Sequence, residues 1–315
     1  MRLPELKIGH LVAKLPIIQG GMAVRISTAP LAAAVANEGG IGIIAATGMG
    51  LEELRREIRA AREKTKGIIG VNVLFAAKQF AELVKTAISE GIDLVISGAG
   101  VSRDMYDWGK ESATAIVPIV SSGRLARLAE KLGAAAIVVE GTEAGGHLGT
   151  DRSWREILPE VKENVCIPVI AAGGIIDGKD IAEAFAYGAD GVQMGTRFAA
   201  SVESGAAPAL KEMYINATEK DVIVIESPVG LPGRALYNSF LAKVERNEIN
   251  GSTIKCGSCL KHCSQKFCIL KALNEAQKGN LDEGLVFSGQ QIAKIKEILP
   301  VKEIFQNLLR EVEAL

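Results

Sequence analysis

The chain has 315 residues, 48% hydrophobic but only 4% aromatic, and 36 Lys and Arg stand against 37 Asp and Glu. A net charge of −1 argues against nucleic acid as the main partner. No apolar run approaches the length that spans a bilayer, and the start, MRLPELKIGHLVAK, lacks the apolar core of a secretory signal. The expected location is the cytoplasm, without membrane attachment.

Ala, Val, Ile and Leu make up most of the apolar content, which suits strands buried on both faces. In chain order, PIIQG (16–20) is the first candidate strand, and VANEGGIGIIAA (35–46) then introduces a recurring theme of helix end, glycine and strand. The theme returns as AISEGIDLVISGAG (87–100), AEKLGAAAIVVEG (129–141) and AFAYGADGVQMG (184–195). Each glycine falls where a helix commonly ends in a left-handed residue. Eight strands are predicted, at 16–20, 41–46, 70–75, 94–98, 115–121, 135–140, 168–173 and 191–196. Helices fill most gaps, most clearly LEELRREIRAAREK (51–64), charged on one side and apolar on the other. Alternating helices and apolar strands imply parallel pairing, and eight such units over about 215 residues predict an α/β fold of the TIM (β/α)8 barrel type. A doubly wound sheet is the alternative, but it would concentrate its glycines after the first strand rather than after nearly every strand.

After Ala217 the pattern breaks. VIVIESPVGLPGRALYNSF reads as irregular strand and turn, KVERNEINGSTIKCGSCLKHCSQKFC is polar and cysteine-rich, and 270–278 and 291–315 read as helical, the latter interrupted at Pro300. The expected organisation is a barrel over 1–217, an insertion with the cysteine cluster over 218–285, and a helical segment over 286–315 that packs back on the barrel.

In such a barrel the C-terminal ends of the strands form the active face. Those ends carry Gln19, Gly20, Gly21 and Met22; Asn72; Ser97 to Gly100; Glu140; Gly173 and Gly174; and Gln193, Met194, Gly195 and Thr196. The glycines of strands 7 and 8 offer backbone N–H groups to a phosphate, and neutral amides beside exposed backbone suit a flat heteroaromatic ring. Strand 6 leads into EGTEAGGHLG (140–149), where His147 stands at the tip of a glycine-rich loop. Histidine is the side chain best suited to proton transfer near neutral pH. His10 precedes the first strand and is given no role; His262 reads as a solvated loop histidine.

PIIQGGM, GVNV, SGAG, EGTEAGGHLG, PVIAAGGI and GVQMGTRFAASVES occur in this order. Together they resemble the nitronate monooxygenase (2-nitropropane dioxygenase) family, which includes the flavin-dependent enoyl-acyl carrier protein reductase, type II. The likeness covers about residues 10–245 and resumes at FSGQ (287–290). It implies an FMN-binding barrel, with the phosphate on Gly173, Gly174, Gly195 and Thr196. Ring contacts would fall on Gly20, Gly21, Met22, Asn72, Glu140 and Gln193, and the catalytic histidine on His147. No separate GxGxxG unit for a nicotinamide cofactor is found, so NAD(P)H would reduce FMN at the same open face.

Five cysteines complete the inventory. Cys166 reads as a small core residue. Cys256, Cys259, Cys263 and Cys268 are spaced C-x2-C-x3-C-x4-C, and in a cytosolic chain such density points to a metal rather than to disulfides. The spacing favours a [4Fe–4S] cluster over zinc, which more often takes two separated CxxC knuckles. Oxygen damages many exposed iron–sulfur centres, so the cluster inclines the reading toward an NAD(P)H-consuming reductase of an enoyl thioester or quinone-like acceptor. Oxidation of alkyl nitronates with O2, and an electron-transfer subunit, are the alternatives. Expected partners are a small-molecule or acyl-thioester substrate and, in a homodimer, a second copy of the chain.

Overall fold

The structure is a computed structural model that describes the whole chain except Ala99, Val101 and residues 250–255. Eight parallel strands form the barrel: β3 (Ile17–Gln19), β4 (Gly42–Ala45), β5 (Ile69–Leu74), β6 (Leu94–Gly98), β7 (Ala115–Val120), β8 (Ile137–Glu140), β10 (Val169–Ala172) and β11 (Gly191–Met194). Every predicted strand is present. The ring closes between β3 and β4, where Gln19 N–H donates to Ile41 O at 3.0 Å and Ile41 N–H to Ile17 O at 2.9 Å.

Side-chain alternation explains why these runs close on themselves. Ile18, Ile43, Ile96, Val117, Val138 and Ile170 point into the barrel, while Ile17, Ile44, Val95, Val139 and Ala171 point outward to the helices. Both faces are buried, so the strands read as continuous apolar runs instead of alternating with polar residues. A hairpin that sequence patterning did not reveal, β1 (Leu6–Ile8) and β2 (Leu11–Ala13), joins the interior cluster through four apolar side chains and plugs the bottom. His10 lies exposed in its turn.

The helices follow the predicted theme. α1 (Ala29–Asn37), α3 (Phe80–Ser89), α5 (Gly123–Leu132) and α7 (Gly178–Ala186) are followed by Gly39, Gly91, Gly133 and Gly188, all with φ between +73° and +103°. α2 (Leu51–Lys64) buries Leu54, Ile58 and Ala61, one stripe at helical spacing, with Glu52 and Glu53 in its first turn and Arg62 and Lys64 in its last. Burying a side chain such as Leu54 or Ile58 is worth about 1.5–3 kcal/mol each. The ring continues through α4 (Asp104–Ser112) and α6 (Trp154–Lys162). α12 (Val301–Glu313) lies against α7 and α1, and Ile304, Phe305 and Leu308 enter the outer core there, so the last helix of the chain fills the remaining place around the barrel.

After β11 come the short α8 (Thr196–Ala199) and α9 (Pro208–Asn216). The stretch read as irregular strand and turn is an antiparallel pair, β12 (Val222–Glu226) and β13 (Pro232–Leu236), followed by α10 (Ser239–Glu245). β13 also pairs with β14 (Val286–Phe287) and with β9 (Gly146–His147) from the loop after β8. α11 (Ile269–Gln277) falls where a helix was expected; the stretch before Pro300 does not, being irregular apart from a 3-10 turn at Ile292–Lys294. Cys166 corrects another expectation: it is exposed, because the strand begins only at Val169 and the residue lies in the α6–β10 loop, its N–H donating to Glu130 at 2.7 Å. No helix of the described residues is long and apolar enough to cross a membrane.

Candidate active site

A cavity of about 590 Å³ opens over the C-terminal ends of the strands, within the size range of cofactor sites. Its lining includes Gly20, Gly21 and Met22 from β3, Asn72 from β5, Glu140 from β8, Gly173 and Gly174 from β10, and Gln193, Gly195 and Thr196 from β11, together with His147. All eleven residues singled out by sequence therefore face one space, although they span almost the first two-thirds of the chain. Of the SGAG segment, Gly98 and Gly100 line the cavity; Ala99 lies outside the described residues.

The β3 end is locked by Gln19, which the sequence placed on the active face without giving it a role. Gln19 is fully buried; its Nε2 donates to Ser27 Oγ at 2.8 Å and its Oε1 accepts from Ile43 N–H at 3.0 Å. Ser27 Oγ in turn accepts from Met22 N–H at 3.0 Å, which fixes the course of the Gly20–Met22 turn. At Gly21 a Cβ would overlap Asn72, so only glycine allows this backbone to lie flat against that side chain. Gln193 is 8% exposed and its Oε1 has no partner among the described residues. An unpaired buried amide oxygen at the floor of a cavity is a ligand contact in waiting.

His147 sits in β9, held in register with Gly233 of β13. Its Nε2 is 2.8 Å from Ser227 Oγ, and Phe287 meets the ring edge to face at 5.1 Å. Two further residues anchor the loop beneath it. Arg234 donates from Nε and Nη2 to Thr142 O at 3.1 and 2.7 Å, and Glu143 is bound by Ser153 and by Arg155 Nη1 at 3.1 Å. Ser227, Arg234 and Glu143 were not singled out in the sequence; FSGQ, which contains Phe287, was the one signal pointing to this wall. Gly289 N–H of that motif donates to Thr196 Oγ1 at 2.9 Å, and Gln291 Nε2 donates to Gly174 O at 2.7 Å. This strap thus lies directly on Gly174 after β10 and Thr196 after β11.

Removal from bulk water separates the two titratable groups of the site. It pushes the Glu140 carboxyl up to about 7 and the His147 imidazole down to about 4, since burial disfavours the charged form of each. His147 is therefore neutral at pH 7.

The cysteine-rich segment forms another wall, through Leu260, Ile269, Leu270 and Leu273. Among the described residues no group of His, Cys, Asp or Glu is gathered as a formed metal site, so the four-cysteine site expected at Cys256, Cys259, Cys263 and Cys268 is not shown, although the other three thiols are near enough to help raise that of Cys259. Cys256 and Cys263 are exposed, Cys259 and Cys268 half-buried, and all are free thiols. The segment follows hydrogen bonds and apolar anchors instead: Lys78 N–H to Cys259 O, Ser264 N–H to Pro228 O, and buried Phe267. His262 is exposed, as its solvated reading required.

The nitronate monooxygenase family model matches residues 5–311. The solved structure of FabK from Thermotoga maritima is 38% identical, with a TM-score of 0.87, over 96% of this chain and 94% of that one. Nitroalkane oxidase from Streptomyces ansochromogenes is 25% identical with a TM-score of 0.82, over 96% of this chain and 97% of that one. Among characterised sequences, the (3aS,4S,5R,7aS)-5-hydroxy-7a-methyl-1-oxo-octahydro-1H-indene-4-carboxyl-CoA dehydrogenase of Mycobacterium tuberculosis is 30% identical over 93% of this chain and 92% of its own length. The chain belongs to the nitronate monooxygenase family and is an FMN-dependent oxidoreductase.

Proposed function

We propose that the chain is an NAD(P)H-consuming reductase that uses FMN to reduce the double bond of an enoyl thioester, with a quinone-like molecule as a second kind of acceptor. Likeness to FabK, the type II enoyl-acyl carrier protein reductase, over nearly the full length of both chains carries this reading. The indene-carboxyl-CoA relative supports a thioester substrate. The cavity suits FMN on its own features: the orphan Gln193 oxygen, the flat Gly21–Asn72 wall and the paired glycines of β10, whose φ values of +112° and +67° turn backbone toward the space. In this proposal Gly173, Gly174, Gly195 and Thr196 hold the phosphate, while Gly20, Gly21, Met22, Asn72, Glu140 and Gln193 surround the ring. FMN, when bound, supplies the two-electron transfer.

His147 supplies the proton. Burial favours the neutral ring, so His147 first takes a proton from solvent at the open mouth; the imidazolium then gives that proton to the acceptor carbon as hydride arrives and returns to the neutral form. Ser227 orients the ring through Nε2, and Phe287 limits its rotation. Mixing the oxidised holoenzyme with NADH or NADPH in a stopped-flow instrument should bleach the flavin, and crotonyl thioester should restore it. Absence of bleaching by either nucleotide removes the proposal.

The neutral ring also favours a second reading, abstraction of a proton from a nitroalkane and oxidation of the nitronate with O2. Oxygen uptake with an alkyl nitronate, independent of NAD(P)H, would select it. A separate element of the proposal is the [4Fe–4S] cluster, which rests on the spacing of the four cysteines alone. Anaerobically purified protein should carry about four irons per chain. Zinc in their place would make the site structural, and neither metal removes it. Membership of the family ranks the third reading, a flavin/iron–sulfur electron-transfer subunit, last; His147→Ala would leave its electron transfer intact.

A further inference from the structure

On the rim of the active-site cavity, residues 74–78 after β5 run beside 259–261 of the cysteine-rich segment. Lys78 N–H donates to Cys259 O and Lys261 N–H to Ala76 O, both at 2.9 Å, and Ala77 pairs antiparallel with Leu260. The two segments make a ribbon that presents different residues to its two sides. Leu74, Ala76 and Leu260 line the active-site cavity, whereas Phe75, Lys78 and Lys261 line a second hollow of about 340 Å³ with Phe80, Arg103 and Trp108.

Cations over aromatic rings dominate this hollow. Lys261 Nζ stands 3.6 Å from the Phe75 centroid and 5.4 Å from that of Phe80, and Lys85 Nζ lies 4.6 Å over Trp108. Among the described residues Lys78, Arg103 and Lys261 have no carboxylate within 4.0 Å, whereas Arg55, Arg59, Arg62 and Arg155 of the barrel helices are each paired with one. Asp104 is the one acidic residue of the lining. Three cations against one carboxylate give an excess of two positive charges, beside aromatic surface that suits a flat base. Lys and Arg so placed suit phosphate oxygens, and the ribbon lines both this hollow and the reaction chamber.

We propose that this hollow holds the adenosine-phosphate end of a nucleotide-bearing co-substrate whose reactive end lies in the cavity. The inference rests on the reductase reading for the identity of that co-substrate. The chemistry is shared by two sources, NAD(P)H and a coenzyme A thioester; the phosphates pair with Lys78, Arg103 and Lys261, and the adenine lies along the aromatic wall.

The test is calorimetric titration of the FMN-loaded enzyme with ADP, 2′,5′-ADP and 3′,5′-ADP, with tryptophan fluorescence followed in parallel. Saturable binding with a change in emission is expected, because Trp108 lines the hollow. The double variant Arg103→Glu with Lys261→Glu should weaken that binding about tenfold or more while retaining FMN. The single variant Lys78→Glu should act in the same direction. Tighter binding of 3′,5′-ADP assigns the hollow to coenzyme A, and tighter binding of ADP or 2′,5′-ADP assigns it to the dinucleotide; either supports a nucleotide site. No saturable binding by any of the three, or equal binding by wild type and the FMN-retaining double variant, overturns it. Nucleotide binding without flavin reduction would instead defeat the reductase reading and leave the hollow standing.

Discussion

Two walls of the active-site cavity are built in different ways. The wall of Gly20, Asn72, Glu140, Gly173 and Gln193 is made of strand ends, each placed by the parallel ladder next to it. The wall that carries His147 is a small antiparallel sheet in which Ser227, 80 residues away, supplies the hydrogen bond and β13 the register. A strand end cannot move without disturbing the closed barrel. The histidine, by contrast, is positioned by a few polar contacts that can be removed one at a time. The same framework can therefore keep the strand-end wall constant while the wall that carries His147 varies.

That contrast is broken most forcefully at His147 itself. His147→Ala should lower turnover of the reductase acceptor by about 10²–10⁴-fold. Flavin content and reduction by NAD(P)H should remain, as measured by stopped-flow bleaching; an unchanged rate with acceptor would take the proton role away from this residue. On the opposite wall, Gly21→Ala should act on cofactor retention instead, since the added methyl overlaps Asn72. Overpacking of this kind costs about 1–3 kcal/mol, so FMN affinity should fall about 5- to 150-fold, read by fluorescence of released flavin.

The two titratable groups give opposite dependences on pH. Glu140 has its pKa raised from 4.5 to about 7, so the folded state holds its proton more tightly; stability is full below 4.5 and is lost as pH rises through about 7. His147 is lowered from 6.5 to about 4, so its contribution is full above 6.5 and lost as pH falls through about 4. Between 4.5 and 6.5 the two slopes oppose each other. In flavin-free protein, Glu140→Gln should therefore gain up to about 3 kcal/mol over wild type at pH 8 and little at pH 4.5, measured by urea unfolding. Equal gains at both values would show that Glu140 is not held out of water. The smallest effect is expected at Ser227→Ala, which removes one hydrogen bond at about 1 kcal/mol. It should lower turnover several-fold and leave FMN bound; if turnover matches wild type, Phe287 and the β13 register alone hold the ring.

Much of the site was legible because barrel geometry makes neighbours of residues that end equivalent strands. Glycine after helix, apolar run and polar terminus recur with a fixed sense, so Gly173, Gln193 and Glu140 could be placed at one mouth without coordinates. Gln19 was placed at the mouth but given no role, because its work is internal, bonding the backbone of the next strand. Ser227 and Arg234 escaped for a different reason: Ser227 follows β12 and Arg234 lies in a short strand that opens with Pro and Gly, and their partners lie far along the chain. The four cysteines were legible as a group, and in the fold the other three thiols help raise that of Cys259; their spacing alone does not dictate which metal they would hold.

From the residues alone follow the eight strands, their parallel order, the face on which chemistry occurs and the loop that carries the histidine. All are consequences of local periodicity and glycine placement, which act over a few residues. The tertiary structure alone decided that α12 completes the helical ring, that an antiparallel sheet roofs the mouth, and that His147 is half-buried in a setting that lowers its pKa. It also decided that Lys261 and Arg103 share one hollow with Trp108. Those outcomes depend on which distant surfaces exclude water together, and solvent exclusion between remote segments leaves no periodic trace along the chain.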